Sequence, residues 1–591
     1  MASIVQVFVI GLLTARWSPV GARLPRIHVD PSTGHFMDSE GRITLFRGIN
    51  SVIKHFPWYD PAMLDPQRHA ELAKAGFNVV RLGAMWTGVE PTEGHINQTY
   101  IDILKEIVVS LEFVGIYTVL DMHQDVLWKT QKTGDGYFGI PPWIQEKLNQ
   151  TADFPWPFEK LSAWPCGYFT IEINEGFDQF YRNVGNSTES FIHFWETMAK
   201  NFKDLPGVLG YELINEPWGG DAYKDASLLL PGVSGRRYLA PLYDRVSAAI
   251  RAIDDQTLIF WNPPFTSNLM PFSVPTYFDN LMENYFAKHS LADFMKLGSP
   301  CGPLDLDFQK QKDIPKSMSA LDTVFEVLSK VLSFQMVSAA SQALLYDWFE
   351  EVGDEAEMPA FGFGMRHVPG GPEFLNRTVM SWHYYCLAIF DNPSSEEPYP
   401  PVLQRLCDKT LGPKHFEAIR EQAQLLGGSG TMLTEFGLCT PNITAPGSQS
   451  FIECNFVMES MESYLESWIF WDTSHEHDPV FWDLEGNFLE DRVALFARPY
   501  PRSVAGVPYH LAFNITTREF GFEFFPLKDS LLQTELVLPS IQYPEGSFQV
   551  NVSEDLRWVL SASTAPSVLR VTGTKHSALN RKSFVKIKPV K

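Results

Sequence analysis

The chain has 591 residues, of which 45% are hydrophobic, and this composition excludes a disordered protein. Asp and Glu number 70 against 47 Lys and Arg, so the formal net charge of −23 argues against a nucleic-acid partner. The 44 Phe, 20 Tyr and 16 Trp are enough to line a groove as well as fill a core, and flat aromatic faces suit sugar-binding clefts.

The N-terminus carries an apolar run, residues 4–15, followed by small residues at 20–22. The run is shorter than the ~20 residues that span a bilayer, so we expect residues 1–22 to be a secretory signal peptide. A buried N-terminal strand is the alternative. The N-x-Ser/Thr sequons agree with a secreted or lysosomal glycoprotein. They lie at Asn97, Asn149, Asn186, Asn376, Asn442, Asn514 and Asn551.

Six cysteines are compatible with three disulfide bonds in a secreted chain. Since six cysteines allow about 15 pairings, the sequence leaves the connectivity open. Proximity along the chain favours Cys386 with Cys407 and Cys439 with Cys454.

Eight β-branched apolar runs recur along the chain, with helical stretches between most of them. The runs are 43–50, 78–83, 116–121, 208–214, 257–262, 379–385, 431–435 and 467–471, and the helices are 66–75, 100–114, 189–204, 240–253, 414–426 and 456–464. Nearly continuous apolar strands suit a parallel sheet that is covered on both faces. We therefore predict an α/β protein with a (β/α)8 TIM barrel. An open doubly wound sheet is less favoured, because no G-x-G-x-x-G follows an early strand.

Two regions exceed a minimal barrel. An insertion of about residues 265–376 precedes the sixth strand, and its apolar helical stretch 320–350 would lie on the catalytic face. After about residue 497 we predict a β-sandwich domain, residues 498–591, from seven short strands. They are 504–513, 519–525, 535–538, 548–552, 558–561, 568–572 and 584–587. Lysines near the end of the chain favour a protected edge strand over a membrane-surface contact.

Ionisable and polar side chains follow the predicted strands, where the carboxyl ends of barrel strands meet in one pocket. They are Arg81, Asp121, His123, Asp125, Asn215, Glu216, His383, Tyr385, Glu435 and Trp471. Glu216 follows strand four and Glu435 ends strand seven, so they would face each other across the barrel mouth. Two opposed carboxyl groups in different environments are what glycoside hydrolysis requires. The short motif from His475 to Asp478 is weak evidence for a metal site.

This ordered set resembles glycoside hydrolase family 5, within the retaining (β/α)8 clan, over residues 26–497, which we take as the catalytic domain. The motifs are Arg81, His123, Asn215-Glu216-Pro217, His383-Tyr384-Tyr385, Glu435 and Trp471. Within the family the chain is most similar to the endoglycoceramidases. The shared features are Arg47-Gly48-Ile49-Asn50 with Lys54 downstream, the run 121–125, Val368-Pro369-Gly370-Gly371 and the C-terminal β-sandwich.

The resemblance implies that Glu216 is the general acid and base and that Glu435 is the nucleophile, about 5–5.5 Å apart. Asn215 would hydrogen-bond the sugar 2-hydroxyl, and Trp471 would lie under the sugar at the cleavage point. Other side chains would bind sugar or orient the carboxyl groups. These are Lys54, Arg81, His123, Asp125, His383 and Tyr385. The mechanism requires neither a metal ion nor another cofactor.

The resemblance also implies a glycosphingolipid substrate, with hydrolysis of the bond between oligosaccharide and ceramide and transient contact with a membrane surface. A β-glucosidase or glucosylceramidase, or a cellulase-like β-glucanase, is the alternative with the same chemistry. A sugar-binding or lipid-binding barrel without catalytic activity is the alternative from another class, and the complete set of catalytic-type residues weighs against it. Apolar residues of 320–350 would then line the ceramide side.

Overall fold

The computed structural model describes residues 23–590 with gaps. The gaps are 128–138, 152, 157, 162–163, 230–231, 266–362, 387–388, 390–394, 438–444, 474–479, 529–530, 545, 562–565, 575–576 and 578–580. The predicted signal peptide, the helical stretch 320–350 and the motif 475–478 therefore lie outside the described residues. No helix in the described part of the chain is both long and apolar enough to cross a membrane.

Nineteen strands are described. In chain order they are β1 (Ile27–Val29), β2 (Phe36–Asp38), β3 (Ile43–Thr44), β4 (Arg47–Ser51), β5 (Val79–Gly83), β6 (Tyr117–Asp121), β7 (Val208–Glu212), β8 (Leu258–Trp261), β9 (Thr378–Tyr384), β10 (Gly430–Phe436), β11 (Trp468–Phe470), β12 (Tyr500–Val504), β13 (Gly506–Asn514), β14 (Glu519–Pro526), β15 (Thr534–Leu538), β16 (Phe548–Val552), β17 (Leu556–Ser561), β18 (Ser567–Gly573) and β19 (Ser583–Pro589).

The α-helices of the described residues follow the barrel strands or lie in their connections. They are α1 (Pro66–Ala75), α2 (Trp86–Val89), α3 (Gln98–Phe113), α4 (Pro142–Gln145), α5 (Ile171–Tyr181), α6 (Ser187–Phe202), α7 (Ala240–Arg251), α8 (Pro401–Leu406), α9 (Gly412–Leu425), α10 (Gln449–Tyr464) and α11 (Glu490–Val493). Helix α5 has no counterpart among the helices that the sequence predicts.

Strands β4 to β11 close into a barrel in which every neighbouring pair is parallel and β11 pairs with β4. All residues of β4 to β9 are buried, because side chains pack inside the barrel and helices cover its outside. The predicted TIM barrel is thus confirmed, with all eight predicted runs contributing a strand.

Local sequence sets where the helices begin and end, as α1 illustrates. The Asp65 carboxylate accepts the backbone N–H of Gln67 at 2.9 Å, and Pro66 occupies the first helical position. Gly76 follows the last residue with a φ of 95°, a left-handed conformation that glycine adopts without a Cβ penalty. The chain then turns directly into β5, which ends at the barrel mouth.

An N-terminal hairpin, which the sequence patterns did not predict, covers the opposite end of the barrel. Strands β1 and β2 pair antiparallel, and Val29 and Phe36 pack with Phe46 and the first residues of several barrel strands. The Phe36 and Phe46 rings lie edge to face with centroids 5.1 Å apart. This apolar cluster covers the end of the barrel where the strands begin.

The remaining strands form two antiparallel sheets, consistent with the predicted β-sandwich. One has the order β1-β2-β3-β12-β15-β18-β17 and the other β13-β14-β19-β16. The predicted run 43–50 is split, because its first part, β3, pairs with β12 while β4 joins the barrel. All seven predicted C-terminal strands are present, and β12 is an additional one.

The prediction that the lysines near the C-terminus protect an edge strand is wrong. Strand β19 lies between β14 and β16, with both of its edges paired. Lys588 instead forms an ion pair with Glu519 at 2.7 Å, and Lys582 forms one with Glu523 at 3.3 Å. Both lysines are exposed, Lys588 on β19 and Lys582 directly before it.

The disulfide bond between Cys386 and Cys407 is confirmed, with their Cα atoms 5.8 Å apart. It ties the residue two positions after the end of β9 to the π-helical segment Cys407–Leu411, which joins α8 to α9. Cys454 is also disulfide-bonded, but Cys439 lies outside the described residues, so their predicted pairing stays a prediction.

Candidate active site

The structure brings all of the predicted site residues together at the carboxyl ends of the barrel strands. Eight of them are buried, namely Arg81, His123, Asp125, Asn215, Glu216, His383, Glu435 and Trp471. Lys54 and Tyr385 are half-buried at the rim of the same pocket. The barrel topology alone explains this convergence, since parallel strands end on one face.

Glu435, on β10, is held at both of its carboxylate oxygens. Arg81 Nη1 donates to Oε1 at 2.5 Å, and the Tyr385 hydroxyl donates to Oε2 at 3.0 Å. Burial, followed by the charges of Glu435 and Glu216, raises the pKa of Tyr385 well above its ordinary value, so this hydroxyl remains a donor. Two donors of this kind match an ionised carboxylate that is fixed in one orientation.

Arg81 is itself held by a ring of acceptors. Glu212, at the end of β7, accepts two hydrogen bonds from it, from Nε at 2.7 Å and from Nη2 at 3.1 Å. Asn50 and Asn215 accept further hydrogen bonds, and Asp121 lies 3.1 Å away. Burial would lower the pKa of Arg81, but these carboxylates outweigh it and hold the pKa above the ordinary value. The guanidinium is therefore a fixed cation behind Glu435.

Glu216 has a strained backbone with a φ of 40°. Its N–H donates to Asn262 Oδ1 at 3.1 Å, and its carbonyl accepts from Gln124 Nε2 at 3.1 Å. These contacts hold the side chain in the pocket, where its Oε1 lies 2.8 Å from His383 Nδ1. The left-handed turn directly after Asn215 aims Glu216 across the barrel.

Burial raises the pKa of Glu216 to about 8, and the charge of Asp125 adds to this effect. The cations of His123, Lys54 and Arg81 oppose it without cancelling it. Glu216 is therefore a neutral acid near pH 7, whereas Glu435 is held by a guanidinium and a phenol. Two carboxyl groups whose environments differ in this way fit an acid and a nucleophile.

The two carboxyl groups lie close together, on the scale of a retaining glycosidase. A carboxyl oxygen of Glu216, one of Glu435 and a ring nitrogen of His383 all lie within 4.8 Å of one another. Retaining enzymes place their carboxyl groups about 5–5.5 Å apart, and inverting enzymes about 6.5–9.5 Å. Oxygen and nitrogen atoms at this spacing also suit a metal ion. A neutral Glu216 beside a Glu435 whose two oxygens both accept hydrogen bonds also fits an acid and a nucleophile.

His383 lies between the two carboxyl groups, with Nδ1 2.8 Å from Glu216 and 3.5 Å from Glu435. Burial and the nearby Arg81 cation lower the pKa of His383, although the charge of Glu435 acts in the opposite direction. A neutral imidazole at this point bridges the carboxyl groups of Glu216 and Glu435 without adding charge.

Charged groups of alternating sign lie beside the Trp471 ring, namely Lys54, Asp125 and His123. The His123 ring stacks on Trp471 with centroids 5.2 Å apart, and Lys54 Nζ lies 4.7 Å from the indole centroid. Lys54 forms an ion pair with Asp125. Burial would lower the pKa of His123, but Asp121 and Asp125 raise it to about 9. An indole flanked by hydrogen-bonding groups is a surface that suits a sugar ring.

An aromatic cluster lies on the Glu216 side of the pocket and was not predicted. Tyr168 stacks on Phe265 at 4.7 Å and on Trp218 at 5.7 Å, and its hydroxyl accepts from Gln124 Nε2 at 3.2 Å. Phe265 is the last described residue before the insertion. The three rings are buried, and the Phe265 N–H donates to the Pro217 carbonyl, so the cluster packs against the segment that carries Glu216.

Four further buried polar residues, Asn50, Gln124, Glu212 and Asn262, orient Arg81 or Glu216. Asn50 and Gln124 stand in the motifs of the resemblance but were given no role, and Glu212 and Asn262 were not predicted. Glu212 left one signal, because it is the single charged residue in the apolar run 208–214. Asn262 donates to Glu212 at 2.7 Å, which joins the supports of the two catalytic candidates into one network.

Comparison with known proteins agrees with this geometry. Residues 37–477 match the family model Cellulase (glycosyl hydrolase family 5), and residues 498–588 match the Glycoside hydrolase family 5 C-terminal domain. An endoglycoceramidase of Cyanea nozakii is 39% identical over 253 residues, which are 40% of this chain and 50% of that protein. The chain thus spans about half the length of this relative.

Two further matches extend over most of the chain. Endoglycoceramidase I of Rhodococcus hoagii is 25% identical over 521 residues, covering 87% of this chain and 80% of that protein. The solved structure of endo-glycoceramidase II from Rhodococcus sp. in a ganglioside GM3 complex superposes with a TM-score of 0.63 at 20% identity. It covers 95% of this chain and 100% of that chain, and shows that the two share a fold. From its barrel, its C-terminal domain and the matched family models, the chain belongs to glycoside hydrolase family 5.

Proposed function

We propose that the protein is a retaining endo-β-glycosidase that hydrolyses the bond between oligosaccharide and ceramide in glycosphingolipids. The observation that carries the proposal is the pair formed by Glu216 and Glu435, with oxygens within 4.8 Å of each other in contrasting environments. The relatives named endoglycoceramidase support the choice of substrate class.

In the first step, the Glu435 carboxylate attacks the anomeric carbon of the sugar that is linked to ceramide. Glu216 gives its proton to the glycosidic oxygen, so the C–O bond breaks and ceramide leaves as a neutral alcohol. The sugar is then joined to Glu435 through an ester. Arg81 and Tyr385 keep the attacking carboxylate in position, because each donates to one of its oxygens.

In the second step, water attacks the same carbon from the side that ceramide has left. Glu216, now a carboxylate, accepts the proton of this water, and Glu435 departs as a carboxylate. Ester formation removes the negative charge of Glu435 and so favours the ionised form of Glu216 that this step needs. Two inversions at the anomeric carbon retain the original configuration.

The chemistry of the pocket differs at its two ends, as a glycolipid requires. Lys54, Asp125 and His123 surround Trp471 and offer hydrogen bonds to sugar hydroxyls. Tyr168, Trp218 and Phe265 lie on the Glu216 side, where the ceramide would leave. The predicted contribution of residues 320–350 to this apolar end lies outside the described residues and stays a prediction.

Product analysis on a glycosphingolipid with three or more sugars tests the proposal. We expect one intact oligosaccharide and ceramide in equal amounts, without free monosaccharide. Glucosylceramide and a soluble β-glucan serve as parallel substrates, and Glu435→Gln serves as the control for contaminating activity. Glucose release confined to glucosylceramide would indicate a glucosylceramidase, and cleavage confined to the glucan would indicate a β-glucanase. Either result would overturn the proposed substrate.

We further propose that the protein is secreted or lysosomal and contacts membrane surfaces transiently, where its lipid substrate lies. The apolar N-terminal run, the sequons and the Cys386–Cys407 disulfide support an oxidising compartment. N-terminal sequencing of the full chain after expression in eukaryotic cells should begin after residue 22. A protein that keeps residues 1–22 and stays in the cytosol would contradict the proposed compartment.

A further inference from the structure

A second pair of carboxyl groups lies outside the barrel mouth, behind the end of β9. Asp408 is on the π-helical segment Cys407–Leu411, and Glu453 is on α10. Both side chains are buried, and Tyr399 donates a hydrogen bond to Glu453 Oε2 at 2.9 Å. Each of the two carboxyl groups acts on the titration of the other. Because two neighbouring buried carboxylates would repel each other, the arrangement favours one proton shared by the pair.

Asp408 Oδ1 and Glu453 Oε1 are both buried, and among the described residues neither atom accepts a hydrogen bond from an N–H or O–H group. Two neighbouring residues, Gln404 and Lys409, act to lower the pKa of Asp408 against the effect of burial. Burial raises the pKa of Tyr384, at the end of β9, and the charges of both carboxyl groups add to this effect. Burial, followed by the charge of Asp408, raises the pKa of Glu453 to about 8. Burial also raises the pKa of Asp408, against the opposing effects of Gln404, Glu453 and Lys409. Two adjacent buried anions would be costly, so the proton is held tightly.

The pair is connected to the catalytic site through the disulfide bond. A carboxyl oxygen of Glu453 lies within 4.8 Å of the sulfur atoms of both Cys386 and Cys407. Cys386 directly follows Tyr385, whose hydroxyl donates to Glu435. Tyr384, on the other side of Tyr385, packs edge to face on Phe416 at 4.9 Å. The residues on both sides of Tyr385 are therefore anchored next to the shared proton.

We propose that Asp408 and Glu453 form a proton-dependent lock that positions Tyr385 against Glu435. While the pair holds one proton, it anchors the disulfide and the end of β9. When that proton is lost, two buried carboxylates repel each other, and the anchored segment loosens. The expected effect on activity rests on the proposed function, because it acts through the hydrogen bond from Tyr385 to Glu435. The expected effect on stability does not depend on any substrate.

The direction of the pH effect follows from proton binding. The folded chain holds the proton more tightly than the unfolded chain, in which a Glu titrates near its ordinary pKa of 4.5. The contribution to stability is therefore complete below that value and is lost as the pH rises towards about 8. An enzyme with such a lock works best in an acidic compartment.

The test uses the full chain with its disulfides intact and the variant Glu453→Gln, whose amide donates to Asp408 without a proton to lose. We expect the melting temperature of the variant to fall less than that of the wild type between pH 5 and pH 8. Asp408→Asn removes the same repulsion by neutralising the other partner, so its melting temperature should also fall less than that of the wild type between pH 5 and pH 8. It replaces Glu453→Gln if that variant does not fold. An unchanged pH dependence in both variants would overturn the shared proton.

A double-mutant cycle tests the positioning of Tyr385. We expect Glu453→Gln to raise the ratio of kcat at pH 8 to kcat at pH 5.5 by about fivefold, within the range of coupling between contacting groups. In a Tyr385→Phe background this gain should disappear. Glu466→Gln is the matched control, since burial raises the pKa of Glu466 to about 7 at a site bonded to Thr431. It should change the pH dependence of melting but not the kcat ratio.

A gain that persists in the Tyr385→Phe background, or that Glu466→Gln reproduces, would show that only global stability is involved and would overturn the positioning role. The kcat measurements use any β-glycoside that the wild type cleaves. If none is cleaved, the proposed function fails, while the melting comparison still decides on the proton lock.

Discussion

Replacing Glu435 by Gln should abolish hydrolysis of every β-glycoside that the wild-type chain cleaves. An amide has nearly the same shape but cannot attack the anomeric carbon, so kcat should fall by about 10⁴-fold or more, the scale found when a nucleophile is removed. Arg81 would keep its partners Glu212, Asn50 and Asn215, so the pocket should retain its shape. Binding of the substrate should survive even though turnover does not.

The measurement is kcat and KM on an aryl β-glycoside and on a glycosphingolipid, with the melting temperature as a check on folding. Glu421→Gln is the matched control, because Glu421 is exposed on α9 and far from the barrel mouth. It should behave like the wild type. A Glu435→Gln variant that keeps more than about a tenth of wild-type kcat, a barrier change of only about 1.4 kcal/mol, would show that Glu435 is not the nucleophile.

Replacing Glu216 by Gln should have an effect that depends on the leaving group. Ceramide leaves as a poor alkoxide unless it is protonated, so hydrolysis of the glycolipid should fall by about 10²–10⁴-fold, the usual contribution of a general acid. A dinitrophenyl glycoside needs no proton on its leaving group, so its first step should be much less affected. The second step still lacks its general base, so the glycosyl-enzyme should accumulate.

The pH profile gives an independent reading of the same residue. Burial raises the pKa of Glu216 to about 8, and the protonated form is the acid, so wild-type kcat/KM should fall as the pH rises above that value. This alkaline limb should be pronounced for the glycolipid and weak for the dinitrophenyl glycoside, whose leaving group needs no proton. Equal losses on both substrates, or an equal alkaline limb for both, would show that another group is the acid.

The sequence patterns were sufficient for the barrel because its strands are nearly continuous apolar runs with polar residues directly after them. Arg81, Asn215 and Glu216 stand out against such runs, and strand order then places them on one face. Glu212 stood out as the single acid of its run, but its role did not, because an acid inside a strand gives the same pattern whether it faces a helix or the barrel interior. Its role depends on Arg81, which is remote in sequence and meets it only in the closed barrel.

Long-range strand pairing was the part of the fold that patterns could not supply. Residues 43–44 leave the barrel run because they pair with β12 near residue 503, a contact that no local periodicity reports. Strand β19 was mistaken for an edge strand for the same reason, since lysine content does not reveal that β16 pairs on its outer side. The Asp408–Glu453 pair also depends on tertiary packing that brings the π-helical segment Cys407–Leu411 and α10 together.

The central claim is that Glu435 forms a covalent bond to the sugar, and the most direct measurement is to trap that bond. A 2-deoxy-2-fluoro glycoside with a dinitrophenol leaving group reacts in the first step, while its fluorine destabilises the positively charged transition state of the second. We expect the mass of the intact chain to rise by one fluorosugar residue, and peptide mapping to place the label on Glu435. A label on Glu216 or on another residue, or continued turnover of the inhibitor without any label, would contradict the mechanism.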